Sequence, residues 1–300
     1  MSDSAQSCAI AFPGQGIQKP GMASKIVGTP AWHLFTEASE ILGYDLGSLC
    51  LEGPQDVLNQ TSHAQVAIFV TCLALWELVK EGYEPEVFLG HSLGEITALA
   101  AAGAFSFAEG VRLTQARGQL MARAPQGGMA AVLGLDLEAV YDLCDQVRRK
   151  GLAIQVANEN SPNQTVISGT IGALEELTSL ALERGAKRVI RLNVSGPFHS
   201  TLMEPVATEF ADVVRDLDLV PCKIPVLSND GETLLSSPEV VKEKLVSQIT
   251  GPVRFTRQVQ KLSAMGLETM IEVGPESLLV PLARRIEPNL QFSLVTAGGI

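Results

Sequence analysis

The chain has 300 residues, 46% of them hydrophobic and only 18% charged, with a mean hydropathy of +0.21, which excludes a disordered chain and is ample for one large or two modest domains. Its net charge of −11 and pI near 4.9 exclude the overall basic footprint of a nucleic-acid binder. Five cysteines, an odd number with no CxxC pair, argue against a disulfide framework or a zinc site and for reduced thiols in the cytoplasm.

The first segment, MSDSAQSCAIAF, has no basic n-region and too short an apolar run for a signal peptide. No stretch of about 18 uncharged apolar residues suggests a membrane span. Residues 8–12 read as a short buried strand that ends at Pro13-Gly14-Gln15-Gly16, a loop whose backbone can approach a ligand closely. Residues 64–81 are apolar enough, and long enough, for a buried helix. A strand at 86–89, a tight turn at 90–94 and a helix at 95–102 follow. Ser106 with Glu109 forms a capping box, which starts a helix reaching about Arg123.

The rhythm then changes. A strand at 129–133, a helix at 136–150, strands at 153–157 and 165–168 joined by the turn-rich NENSPNQ, a helix at 171–184 and a strand at 188–194 give the order β-α-β-β-α-β. That order is ferredoxin-like, and it places a small subdomain over residues 127–195 within an α/β core made of residues 1–126 and 196–300. Beyond it the α/β pattern resumes: a helix from Thr201, a strand at 224–228, helices near 238–249 and 254–265, a strand at 269–273, and a last helix and strand.

Gly90-His91-Ser92-Leu93-Gly94 matches GxSxG between a strand and a helix, the setting in which a sharp turn lifts a serine nucleophile clear of a sheet. The helix that follows aims free N–H groups and partial positive charge at that serine. A serine needs a base, and the chain has four histidines: His33, His63, His91 and His199. His91 is the nucleophile's neighbour, and His33 and His63 lie among no other candidate site residues. His199, in a Gly- and Pro-containing loop between the small subdomain and a helix, is the favoured base. Arg117 falls on the inward stripe of its helix with Leu113, Thr114, Leu120 and Met121. A guanidinium placed there serves either an internal salt bridge or bidentate binding of a substrate carboxylate.

Seven segments in order resemble the malonyl-CoA:acyl carrier protein transacylase family, the acyltransferases of fatty-acid and polyketide synthesis. They are FPGQG (12–16), GHSLGE (90–95), RGQLM (117–121), NENSPNQTVISG (158–169), GPFHS (196–200), QITGPVRF (248–255) and EVGP (272–275). The resemblance implies a hydrolase-like α/β core with a ferredoxin-like insertion. It implies a Ser–His dyad of Ser92 and His199, with the histidine oriented by the carbonyl of Gln248 in place of an acidic residue. The oxyanion hole would be the backbone N–H groups of Gln15 and Leu93. Arg117 would hold the malonyl carboxylate, with Phe198, Met121 and His91 also in the substrate site. Phe198 matches malonyl-selective members, where a Ser goes with methylmalonyl. Glu276 departs from the small residue usual at its position. The implied reaction is ping-pong transfer of malonyl from malonyl-CoA, a thioester substrate and not a resident cofactor, through a Ser92 ester to a carrier's phosphopantetheine thiol.

A carrier-editing acyl hydrolase on the same scaffold is the alternative, although it has no need of a carboxylate clamp. An unrelated esterase, expected to carry an acidic residue between Ser and His and often HGGG, fits less well, as does a non-catalytic docking scaffold. A monomer is expected, with no nucleic-acid or membrane partner. Residues 127–195 hold seven Lys or Arg against eight Asp or Glu, so most of the negative charge lies elsewhere. Since carriers of these pathways are usually acidic, Arg148, Arg149, Arg188 and Arg191 mark the expected docking face.

Overall fold

A computed structural model describes residues 6–296 of the chain. Residues 1–5, part of the segment read as lacking a leader, lie outside the described residues. The chain opens with strand β1 (Gln6–Phe12), whose residues 8–12 are fully buried on both faces. Three short helices follow, α1 (His33–Leu42), α2 (Leu46–Glu52) and α3 (Gln55–Leu58). The apolar segment read as a buried helix is α4 (Thr61–Val79), packed most heavily on α6 (defined below) and apolar around most of its circumference. With the turn to Gly82 it has a mean hydropathy of 1.5, long and apolar enough to cross a membrane, contrary to the expectation of no such stretch. The protein itself buries 72% of it, so here it is the central helix of a core.

Strand β2 (Tyr83–Gly90) runs straight into the turn that begins α5 (Leu93–Ala101). The capping box forms in full: Ser106 Oγ accepts the Glu109 N–H while the Glu109 carboxylate accepts the Ser106 N–H, and α6 (Phe107–Ala122) begins there. The β-α-β-β-α-β run is β3 (Gly128–Leu133), α7 (Leu137–Arg149), β4 (Ile154–Ser161), β5 (Gln164–Gly169), α8 (Ile171–Glu183) and β6 (Arg188–Arg191). The remainder is α9 (Glu204–Arg215), β7 (Val226–Leu227), β8 (Leu234–Leu235), α10 (Pro238–Ser247), α11 (Phe255–Ala264), β9 (Thr269–Val273), α12 (Val280–Ile286) and β10 (Gln291–Val295).

Two sheets result. The larger has the order β10-β9-β1-β2-β7-β8 and is parallel except for the β7–β8 pair. Alternation along its central strands feeds two cores. Ile10, Phe12 and Phe88 pack among α1, α4, α5 and α6, while Ala9, Ala11, Val87 and Leu89 pack against Phe255, Val259 and Leu262 of α11 and Leu282 of α12. The smaller sheet, β4-β5-β3-β6, is antiparallel throughout, in the ferredoxin-like order. One face buries Ala130, Val132 and Ile167 under α7 and α8; the other turns Met129, Ala131 and Val166 toward the larger unit.

The structure departs from the sequence reading at NENSPNQ. Most of that segment is strand: β4 continues to Ser161, and only Pro162 and Asn163 turn. Turn-forming residues are tolerated because two bulges break the register and the segment's backbone polar groups find partners in the other unit. Glu159 N–H donates to Val253 O, Thr256 Oγ1 donates to Glu159 O, and Asn158 bridges Val253 in parallel. β6 is also shorter than expected, ending at Arg191, so residues 192–194 leave the sheet.

Candidate active site

The site lies where ligands sit in parallel sheets, outside the carboxyl ends of adjacent strands. β1 ends in the loop carrying Gln15, and β2 ends in the turn carrying Ser92. Ser92 has φ 53° and ψ −110°, a backbone state that costs an L-residue roughly 1–3 kcal/mol. Contacts on both sides hold it there: its N–H donates to Asn229 Oδ1 (2.8 Å), and its carbonyl accepts Gln248 Nε2 (3.1 Å) and the Glu95 N–H. The flanking glycines are forced by contact. A Cβ on Gly90 would lie 1.9 Å from the Gly94 carbonyl carbon, and one on Gly94 would lie 2.0 Å from Phe12 O. GxSxG is therefore written by how closely the turn rides over β1.

Ser92 Oγ is 2.8 Å from His199 Nε2. His199 Nδ1 faces two carbonyls, Gln248 O at 2.9 Å and Gly251 O at 3.1 Å. Two acceptors require the proton on Nδ1, which leaves Nε2 as the acceptor for the Ser92 hydroxyl. His199 also sits at positive φ, 57°, on a loop clamped by Gln155 of β4. The Gln155 amide donates to His199 O and Thr250 O, and its Oε1 accepts the Thr201 N–H. Arg117 is 1% exposed. Its Nη1 donates to Gln65 Oε1 (2.8 Å), and its Nη2 donates to Gln248 Oε1 (2.8 Å) and to Ser92 Oγ (3.2 Å). Of the two roles open to it in the sequence, the internal salt bridge does not form: no carboxylate contacts Arg117 among the described residues.

A cavity of about 460 Å³ opens from Ser92 between the two sheets. Gln15, His91, Leu93, Arg117, Met121, Phe198 and His199 all line it, so the structure brings these sequence candidates together; Gln248 stands behind Arg117 and His199. The N–H groups of Gln15 and Leu93 have no acceptor among the described residues. His91 Nε2 pairs with Asn160 Oδ1 at 2.9 Å and its ring leans on Phe255, away from the dyad. Glu276 is exposed and pairs with Lys19, tying two loops at the surface.

A family model described as an acyl transferase domain matches residues 10–287. The chain belongs to that family. It is 43% identical over 294 residues to a malonyl CoA-acyl carrier protein transacylase of Bacillus subtilis (strain 168), covering 96% of this chain and 93% of the relative. It is 38% identical to the protein of the same name from Haemophilus influenzae, covering 94% and 93%. A crystal structure of an acyl carrier protein S-malonyltransferase from Vibrio cholerae superposes with a TM-score of 0.92 at 40% identity, covering 96% of each chain. A malonyl-transacylase solved in complex with its type II PKS acyl-carrier protein superposes at 0.93 with 36% identity, covering 97% and 96%.

Electrostatics within this acyl transferase domain follow from burial. His199 is pushed down to about 3, first by desolvation and then by the Arg117 charge, against the pull of its two carbonyl partners. Arg117 is lowered to about 10 by desolvation and held up by the charge of Glu95. Three residues of the network were not singled out in the sequence. Gln65 is a lone carboxamide on the apolar face of α4, and Glu95 a lone acid within LGEITALAA. Both carry the signal of a polar residue where the pattern demands an apolar one. Asn229, in a loop after β7, carries no such signal.

Proposed function

We propose that the chain is a cytoplasmic, monomeric malonyltransferase: Ser92 takes malonyl from malonyl-CoA and passes it to the phosphopantetheine thiol of an acyl carrier protein. One observation carries the reading. Arg117 is a buried cation bonded to the nucleophile's oxygen and otherwise met only by neutral amide oxygens. A charge placed there has an unmet preference for an anion, and an acyl group on Ser92 that ends in a carboxylate supplies it.

The reaction follows from the hydrogen bonds. Ser92 Oγ attacks the thioester carbonyl carbon as its proton passes to His199 Nε2, and the two carbonyls facing Nδ1 stabilise the imidazolium. The carbonyl oxygen becomes an oxyanion facing the N–H groups of Gln15 and Leu93, each worth about 3 kcal/mol in comparable sites. The intermediate collapses, the C–S bond breaks, and CoA departs as the thiol with the proton from His199. The carrier thiol then repeats the sequence on malonyl-Ser92, giving up its proton to His199 as Ser92 is released. The cavity wall suits the arm that both thiols share: the amides of Gln18, Asn59, Asn158, Gln164 and Asn193 line it, and pantetheine is itself a chain of amides.

The test is intact-mass spectrometry after brief incubation with malonyl-CoA. Wild type is expected to gain one malonyl group that holo carrier protein removes, and Ser92→Ala to gain none. Free malonate formed without carrier labelling would favour the hydrolase.

On this reading the carrier docks along the edge of the smaller sheet. β6 is an edge strand, and the chain leaving it, Leu192 to Val194, lines the cavity, so a partner on β6 sits beside the entrance. No carboxylate pairs with Arg149, Arg188 or Arg191 among the described residues, whereas Arg148 is engaged by Asp145 and Ile154 O. Reversing charge at Arg188 and Arg191 is expected to raise the carrier's KM about tenfold and leave malonyl-CoA loading unchanged. Steady-state kinetics with carrier as the varied substrate checks this, and an unaltered KM excludes the face.

A further inference from the structure

Glu95 is fully buried in the first turn of α5. Its Oε2 accepts both the backbone N–H and the side-chain amide of Asn229, each at 2.5 Å, and its Oε1 accepts Gln248 Nε2 at 2.8 Å. Every partner is a donor, so the contacts match a carboxylate and leave no acceptor for a carboxylic acid proton. Each partner then hands on an oxygen. Asn229 gives Oδ1 to the Ser92 N–H, and Gln248 gives Oε1 to Arg117 Nη2. An amide has one oxygen and one nitrogen, so fixing which end faces Glu95 fixes which end faces the site.

We infer that Glu95 is the counter-charge and positioning residue of the acyl site: a carboxylate held one amide away from Arg117, which keeps the guanidinium charged and aimed while leaving it open to the substrate's own carboxylate. The inference rests on the malonyl reading proposed above. A carboxylate touching Arg117 would satisfy the fork and compete with malonyl. No anion at all would leave a buried cation without compensation. Interposing Gln248 avoids both, since the negative charge acts through space while the contact atom is a neutral oxygen. The same carboxylate orients Asn229, so the strained nucleophile and the cation beside it share one anchor.

The experiment compares single-turnover loading of Ser92 from malonyl-CoA and acetyl-CoA. A purely structural role would lower both rates together. Glu95→Gln is nearly isosteric but sets an NH2 group against donors. It is expected to lower the malonyl-to-acetyl rate ratio at least about tenfold, with Glu95→Asp recovering part of it. The decisive variant is the double exchange Glu95→Gln with Gln248→Glu. It keeps net charge and the carboxamide–carboxylate pairing between the two positions but gives up the Gln248 Nε2 bond to the Ser92 carbonyl, so its thermal midpoint should fall modestly, a loss common to both thioesters that the rate ratio cancels. It also brings the acid into contact with Arg117, and the ratio should fall as far as in Arg117→Ala. A wild-type ratio in either Glu95→Gln or the exchange, with Arg117→Ala collapsed, overturns the inference. An unchanged ratio in Arg117→Ala itself overturns the malonyl reading, and the inference with it.

Discussion

His199→Ala is expected to slow malonyl loading of Ser92 by about six orders of magnitude, the scale seen when one member of a unit of nucleophile and base is removed. The loss is large because, among the described residues, the other hydrogen bond to Ser92 Oγ comes from Arg117, which only donates and cannot take the proton. The pH profile carries a sharper test. An exposed histidine would lose its basic form below about pH 6.5. His199, pushed down to about 3, stays neutral across that range, so loading by wild type should hold nearly constant from about pH 8 to about pH 5. The sign for stability runs in the same direction. The unfolded chain takes up this proton below the ordinary histidine value and the folded chain does not, so stability is full above that value and declines as pH falls toward 3. Rapid-quench loading rates across this range check the claim; a half-point near pH 6.5 would mean that His199 titrates as an exposed group and is not desolvated by the site.

For Arg117→Ala the expected result is a loss of two to three orders of magnitude, at roughly the cost of stranding a buried charge, in loading from malonyl-CoA. Loading from acetyl-CoA, which has no carboxylate, should fall by less than about tenfold, reflecting only the lost contact with Ser92 Oγ. Equal losses for both thioesters would remove the clamp from the mechanism. A second consequence follows from the Arg117 charge, which helps to keep His199 neutral. Without it the His199 pKa rises, and the acid limb of the loading rate should move to higher pH in the variant. A lysine at the same position restores charge but not the two-pronged geometry, so it should recover the pH profile better than the malonyl rate.

Much of this was legible in the sequence because the signals are local. Ser106 and Glu109 stand three apart, and their reciprocal bonds form as the spacing demands. The switch from core to small subdomain was legible as a change in element rhythm, and GxSxG as a strand–turn–helix junction. The network around the dyad was not. Arg117 meets Gln65 and Gln248 at sequence separations of 52 and 131, and Glu95 meets Asn229 at 134, distances at which no periodicity survives. NENSPNQ misled for a related reason. Its residues favour turns locally, but their polar groups are answered by Val253, Arg254 and Thr256 from a distant segment, and that long-range pairing overrides local preference.

Gln155 has a further consequence. It belongs to the smaller sheet, yet its carboxamide grips the carbonyl of His199, the N–H of Thr201 and the carbonyl of Thr250, which lies between the two residues whose carbonyls fix the imidazole tautomer. The proposed base is thus stapled across the seam between the two layers, while Ser92 is rooted in the larger one. The Ser92–His199 hydrogen bond and the cavity beside it both span that joint, so the two side chains are aligned only while the two halves of the molecule are.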